Sequence, residues 1–162
     1  MSKDDALDAL DLKVLSHYQR DTRMPAEKIA HKVGLSAAAV QRRLRRMRTA
    51  QVIEGEYAKV APKAVGLQIT CLVGVELERE SASGIERFKT KMARYSQVQQ
   101  CYYVTGPCDF MLVVLARDME SYELFTRKAL LDDPNVRGFA TYVVLDRVKV
   151  ESGVPIDANR DP

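Results

Sequence analysis

A chain of 162 residues, 46% apolar and 29% charged, has the length of one ordinary domain or two small ones and a composition suited to packed cores. No apolar run approaches the ~20 residues of a membrane span, and the acidic opening MSKDDALDALD lacks the apolar stretch of a secretory signal, so the cytoplasm is the expected location. Three cysteines and two histidines show no metal-ligand spacing, no cofactor motif is present, and the net charge of +3 is unevenly spread, with ten Lys/Arg against two Asp/Glu in residues 12–48.

Leu7, Leu10, Val14 and Tyr18 recur on one face and predict an amphipathic helix over 7–19. Pro25 suits the first turn of a second helix, which Ile29 and Ala30 continue until Gly34 ends it. Ser36 is a good N-cap for a third helix running to about Thr49. VIEGEYAKV (52–60) alternates like a strand or short hairpin, and Pro62 and Gly66 break the periodicity between two halves. In the second half, LQITCLVGVEL (67–77) reads as a strand and Ile85, Phe88, Met92 and Tyr95 as a helical stripe. VQQCYYVT (98–105) and DFMLVVLA (109–116) read as strands joined at GPC. Met119, Tyr122, Phe125, Ala129 and Leu130 mark another helix, and RGFATYVVLDRVKV (137–150) a last strand. The order βαββαβ is the ferredoxin-like one, a four-stranded antiparallel sheet with two helices on one face. The expected organisation is α+β: a helix-turn-helix domain at 1–53, a linker strand at 54–66, the ferredoxin-like domain at 67–151, and a frayed tail at 152–162.

Ala30, Gly34 and Val40 have the spacing of a helix-turn-helix: a small residue at the helix crossing, a turn residue tolerant of positive φ, and an apolar anchor. With Val40, Leu44 and Met47 inward, Ala38, Arg42 and Arg45 point outward, flanked by Ala39 and Arg46 on one side and Gln41 on the other. Small residues near a helix start and long donors beyond them suit the major groove, where arginine reaches guanine O6/N7 or phosphate oxygens. Ser36 and the free N–H groups of Ala37 and Ala38 suit a phosphate. The candidate DNA-binding set is therefore Ser36, Ala37, Ala38, Gln41, Arg42, Arg45 and Arg46; the plainer alternative is a solvated basic face. Arg43 points toward the buried flank and is expected to pair with Asp11, or failing that Asp8, because a half-buried carboxylate needs a partner.

LDALDLKVL (7–15), KIAHKVGLSAAAVQRRLRRM (28–47), VI (52–53) and TGPCDF (105–110), in that order, resemble the Lrp/AsnC family of bacterial and archaeal transcription regulators over nearly the whole chain. The resemblance implies a winged helix-turn-helix domain joined by a short strand to a βαββαβ effector (RAM) domain. It implies homodimers built through the sheets, frequently assembled into octamers; the residues themselves give an enzyme little support, with no phosphate-binding glycine loop, nucleophile motif or recognisable carboxylate pair. It implies binding to double-stranded DNA at a palindromic operator, control of amino-acid-related genes, and an amino acid or related small-molecule effector near the loop after the second sheet strand. Effector-lining candidates are Thr105, Gly106, Cys108, Asp109 and Thr141. Under the plainer alternative TGPCD is only a turn, with Asp109 bonding local backbone and Cys108 a small packed residue. Met24 stands where the family often has a Ser or Thr cap, Gln51 where it commonly has glycine, and Cys108 where it usually has an aromatic residue. A nucleoid-associated architectural protein without an effector is the alternative function.

Overall fold

The computed structural model describes residues 7–79 and 81–157, which form two compact units. One takes the described residues up to Ala58 together with those from Lys149 on; the other is Lys59–Val148. No helix among the described residues is long and apolar enough to cross a membrane.

The first unit holds three helices: α1 (Ala9–Tyr18), α2 (Ala26–Val33) and α3 (Ala37–Thr49). Asp8 and Asp11 cap the start of α1 reciprocally, each carboxylate accepting the other's backbone N–H, at 2.7 and 3.0 Å. Pro25 sits one residue ahead of α2 and no side chain caps that helix. Met24 instead packs on the core beside it. Gly34 ends α2 at φ 72, a left-handed conformation that lets the chain turn sharply into α3. Ser36 caps α3, its Oγ accepting the Ala39 N–H at 3.2 Å. The core contains Val14, Leu15, Tyr18, Ile29, Ala30, Val33, Val40, Leu44 and Met47, so the inward stripe of α3 is the one its periodicity indicates.

Two expectations for the connecting segments change. The strand expected over 52–60 does not form, and the 54–66 segment carries only a short 3-10 turn at Pro62–Val65. Alternation alone supplies no neighbouring edge, and Val52 and Ile53 spend their N–H groups on the Met47 carbonyl at 2.9 and 3.2 Å. The tail does not fray over its described part either. Ile156 packs against the helical core, and the Gln19 amide brackets Val154, donating to its carbonyl and accepting its N–H, both at 3.0 Å.

The second unit carries β1 (Ile69–Leu77), α4 (Ala82–Met92), β2 (Val98–Tyr103), β3 (Phe110–Ala116), α5 (Met119–Thr126), continued by a wider turn at Arg127–Leu131, and β4 (Val136–Val143). The sheet order is β2-β3-β1-β4 with every neighbouring pair antiparallel, the ferredoxin-like arrangement. Cys71, Val73, Val75 and Leu77 from β1 meet Phe88 and Met92 of α4 and Tyr122 and Phe125 of α5 in one core. The last strand stops at Val143, short of the predicted 150: the Val144 N–H still donates to the Thr70 carbonyl at 2.9 Å, but β1 begins at Ile69 and has no residue to set opposite those beyond 145. Leu145 beyond it is 98% exposed. On the sheet's other face, register aligns Leu72 with Val113 and Tyr142, and Tyr102 with Met111. Leu72, Tyr102 and Tyr142 are exposed there.

Candidate nucleic-acid interface and ligand cleft

Asp11 is wholly buried in α1, yet it is an ionisable side chain inside an apolar stripe. Its position 32 residues from Arg43 and 35 from Arg46 is bridged by the fold. Arg43 Nη1 donates to Asp11 Oδ1 and to Asp8 Oδ2, both at 2.7 Å, while Arg46 Nη2 donates to Asp11 Oδ2. The Arg43 expectation therefore holds with both carboxylates engaged. Partial burial opposes ionisation of Asp8, but the hydrogen bonds from Arg43 and from the Asp11 backbone outweigh it and hold the carboxyl below its ordinary range.

Arg46 departs from the sequence expectation. Its guanidinium turns back to Asp11 instead of flanking the outward face, because a wholly buried carboxylate favours charged donors on both oxygens, and Oδ2 otherwise has only the neutral Asp8 N–H. Arg48 is engaged as well. Its Nε donates to Glu56 Oε1 at 2.9 Å and its Nη2 to the Tyr18 hydroxyl at 2.7 Å, and that hydroxyl donates to Glu56 at 2.6 Å. The Tyr18 and Arg48 hydrogen bonds lower the Glu56 pKa.

Of the five arginines between 42 and 48, that leaves Arg42 and Arg45, which are exposed and whose guanidinium groups have no hydrogen bond or ion pair among the described residues. Ser36, Ala38 and Gln41 are exposed with them, while Ala37 is half-buried. The Ser36 oxygen already accepts the Ala39 N–H, so the N–H groups of Ala37 and Ala38 are the first open donors of α3.

In the second unit, Gly106, Pro107, Cys108 and Asp109 line a cavity of about 260 Å³ with Glu76, Leu77, Glu78 and Arg137. Gly106 has φ 136, a backbone open to glycine and unfavourable to other residues. Asp109 is committed to the backbone: its Oδ2 accepts the Leu77 N–H at 2.6 Å and its own N–H goes to the Val75 carbonyl at 2.9 Å. Cys108 lies with Sγ 3.5 Å from Met111 Sδ, against Gly74, where an added Cβ would stand 3.4 Å from that sulfur. Arg137 pairs with Glu76 across the cleft wall.

Two of the expected lining residues are not among these. Thr105 is exposed outside the cleft lining. Thr141 pairs with Val73 and shares a 2.5 Å hydrogen bond with the Tyr122 hydroxyl on the helix side of the sheet, whereas the cleft lies at the Leu77 end of β1. Glu76, Leu77, Glu78 and Arg137 were not foreseen. They reach the cleft only through the β1–β4 register and its irregularity between Glu76 and Leu77, which no local pattern announces.

Comparison with known proteins agrees for both halves. Residues 7–48 match the AsnC-type helix-turn-helix domain and residues 70–154 the Lrp/AsnC ligand binding domain. The chain is 47% identical over 151 residues to y4tD, an uncharacterized HTH-type transcriptional regulator of Sinorhizobium fredii, covering 93% of this chain and 89% of that one. It is 30% identical over 143 residues to the leucine-responsive regulatory protein of Escherichia coli, covering 88% and 87%. A Neisseria meningitidis transcriptional regulator solved as an L-Met complex superposes with a TM-score of 0.86 at 25% identity, over 94% of this chain and 98% of that one. The arginine-bearing third helix and the cleft-bearing sheet are thus the two halves of one known design, and the chain belongs to the Lrp/AsnC family of non-enzymatic transcriptional regulators, with a DNA-binding helix-turn-helix domain and a ligand-binding domain.

Proposed function

We propose that α3 enters the major groove of a palindromic operator, with Arg42 and Arg45 as base or phosphate readers. Gln41 and Ala38 lie at the groove edge and Ser36, Ala37 and Ala38 face a backbone phosphate. The observation that carries this reading is selective neutralisation: Arg43, Arg46 and Arg48 are spent inside the domain, and Arg42 and Arg45 are left charged and exposed. Arg46 is therefore a clamp on α1 in this reading and not a groove contact.

The cleft beside Gly106 and Cys108 binds an amino acid or a related small molecule, and the protein adjusts amino-acid-related genes in the cytoplasm in response. The leucine-responsive and L-Met-bound relatives support that ligand class. With Asp109 tied to the backbone and Glu76 paired with Arg137, Glu78 is the cleft carboxylate left for an ammonium group. Two copies pair through the open sheet face carrying Leu72, Tyr102 and Tyr142, as its exposed apolar side chains favour, and such dimers build octamers.

Footprinting with operator-length fragments tests the DNA reading. Two phased half-sites are expected, with Arg42→Ala or Arg45→Ala losing on the order of 1–3 kcal/mol where the arginine reads guanine. Loss spread evenly over all sequences marks a phosphate contact instead, and uniform coverage without half-sites favours an architectural role. A thermal-shift screen of the twenty amino acids tests the cleft: at least one should raise the melting point, and Glu78→Gln should reduce that rise.

A further inference from the structure

The two segments that join the DNA-binding unit to the rest of the chain are fastened at neighbouring residues. Tyr18, the last residue of α1, holds the outgoing segment, since its hydroxyl donates to Glu56. Gln19, the next residue, holds the returning segment through its two hydrogen bonds to the Val154 backbone. Gly153 passes so close that an added Cβ would stand 3.1 Å from Gln19 Oε1. Ile156 then reaches the core contributed by all three helices. Arg48 of α3 closes the arrangement, donating to both Tyr18 and Glu56 with its guanidinium 5.5 Å from the centre of the Tyr18 ring.

A primary amide that donates to a carbonyl and accepts from the N–H of the same residue mimics one rung of a β-ladder. It fixes the depth and direction of an otherwise irregular segment, and the apolar contact of Ile156 adds burial beyond it. A chain end without such ties is usually loose. The helix-turn-helix match ends at residue 48, a hundred residues before this segment, so the docked stretch lies outside the three-helix motif itself.

We propose that residues 149–157 are a strap belonging to the DNA-binding domain, and that the C-terminal end of α1 is the junction through which the ligand-binding domain bears on α3. This rests on α3 being the DNA-reading helix. Tension or release on either connection reaches the same two residues, and Arg48 passes it to the end of α3. Undocking the strap loosens α1 and α3 together and weakens DNA binding without touching a groove-facing side chain.

The test uses the full chain as wild type, Gln19→Ala and Ile156→Asp. Amide hydrogen exchange reads the Val154 N–H directly: the wild type should protect it at least about tenfold over the exposed Val148, and both variants should lose that protection. Amides of α1 and α3 should exchange faster in the variants, those of β1 and β3 should not change, and the helical domain should melt about 4–8 °C lower. Operator affinity should fall several-fold. An unprotected Val154 in the wild type overturns the proposal, and so do variants whose α3 exchange or operator affinity matches wild type. Exchange and melting need no DNA, so a wild type that ignores operators sinks the reading of Arg42 and Arg45 while Val154 still decides the strap.

Discussion

Gln51 shows how much a single position can hold. It follows α3 at φ 56, the one non-glycine residue with positive φ among those described. A side chain with a Cβ is strained there by about 1–2 kcal/mol. Gln51 recovers little of that through its exposed Nε2 donating to the Arg48 carbonyl at 3.1 Å. Gln51→Gly should raise the stability of the helical domain by about 0.5–1 kcal/mol, glycine's greater freedom in the unfolded chain limiting the gain. Chemical denaturation should show a higher midpoint at unchanged slope. A lower midpoint would mean the side-chain hydrogen bond matters more than the backbone strain.

Between elements, Asp11 is the decisive group, because α1 grips α3 through a buried charge. Removing one partner of such a pair leaves the other uncompensated, a loss of about 3–5 kcal/mol. Asp11→Ala should therefore destabilise strongly, with Arg43→Ala severe as well, since Arg43 is mostly buried and bonds both Asp8 and Asp11. Arg46 is nearly half exposed, and solvent screening limits its share, so Arg46→Ala should be the mildest of the three. Melting temperatures of the three variants would show the ranking. An Arg46→Ala variant as unstable as Asp11→Ala would invert the assignment of the two arginines, and unchanged stability with lost DNA binding would return Arg46 to the groove.

At the scale of the molecule, acid should weaken both units. The Asp8, Glu56 and Asp133 carboxyls all lie below their ordinary values near 3.8, 4.5 and 3.8. For Asp133, burial opposes ionisation but is outweighed by Lys91, whose Nζ lies 2.9 Å away, and by the Asn135 backbone N–H. A carboxyl whose folded pKa is depressed binds fewer protons folded than unfolded. Its stabilisation is complete above the unfolded pKa and disappears as pH falls through the folded one. Stability should thus be flat toward neutrality and decline below about pH 4.5, in melts of both units recorded from pH 7 to 3. Glu56→Gln should flatten only the part of that decline belonging to the helical domain; equal flattening in both units would contradict the assignment.

The sequence by itself determined the helices, the order of strands and the inward face of α3, because caps, glycine turns and periodicities of 3.6 and 2 act between residues a few positions apart. It also marked Arg43 for Asp11, since an acid within an apolar stripe announces its need. Only the tertiary structure decided which other arginines remain free: Arg46 and Arg48 face partners supplied by α1 and by Glu56, and no local pattern fixes which flexible cation wins them. Register across β1 and β4 chose Glu76 and Arg137 for the cleft and took Thr141 to the opposite face. Likewise, only the folded α1 offered Gln19 to a tail that looks unattached when read alone. In each case the contact joins residues distant in the chain, whose pairing energy exists only once the backbone has brought them together.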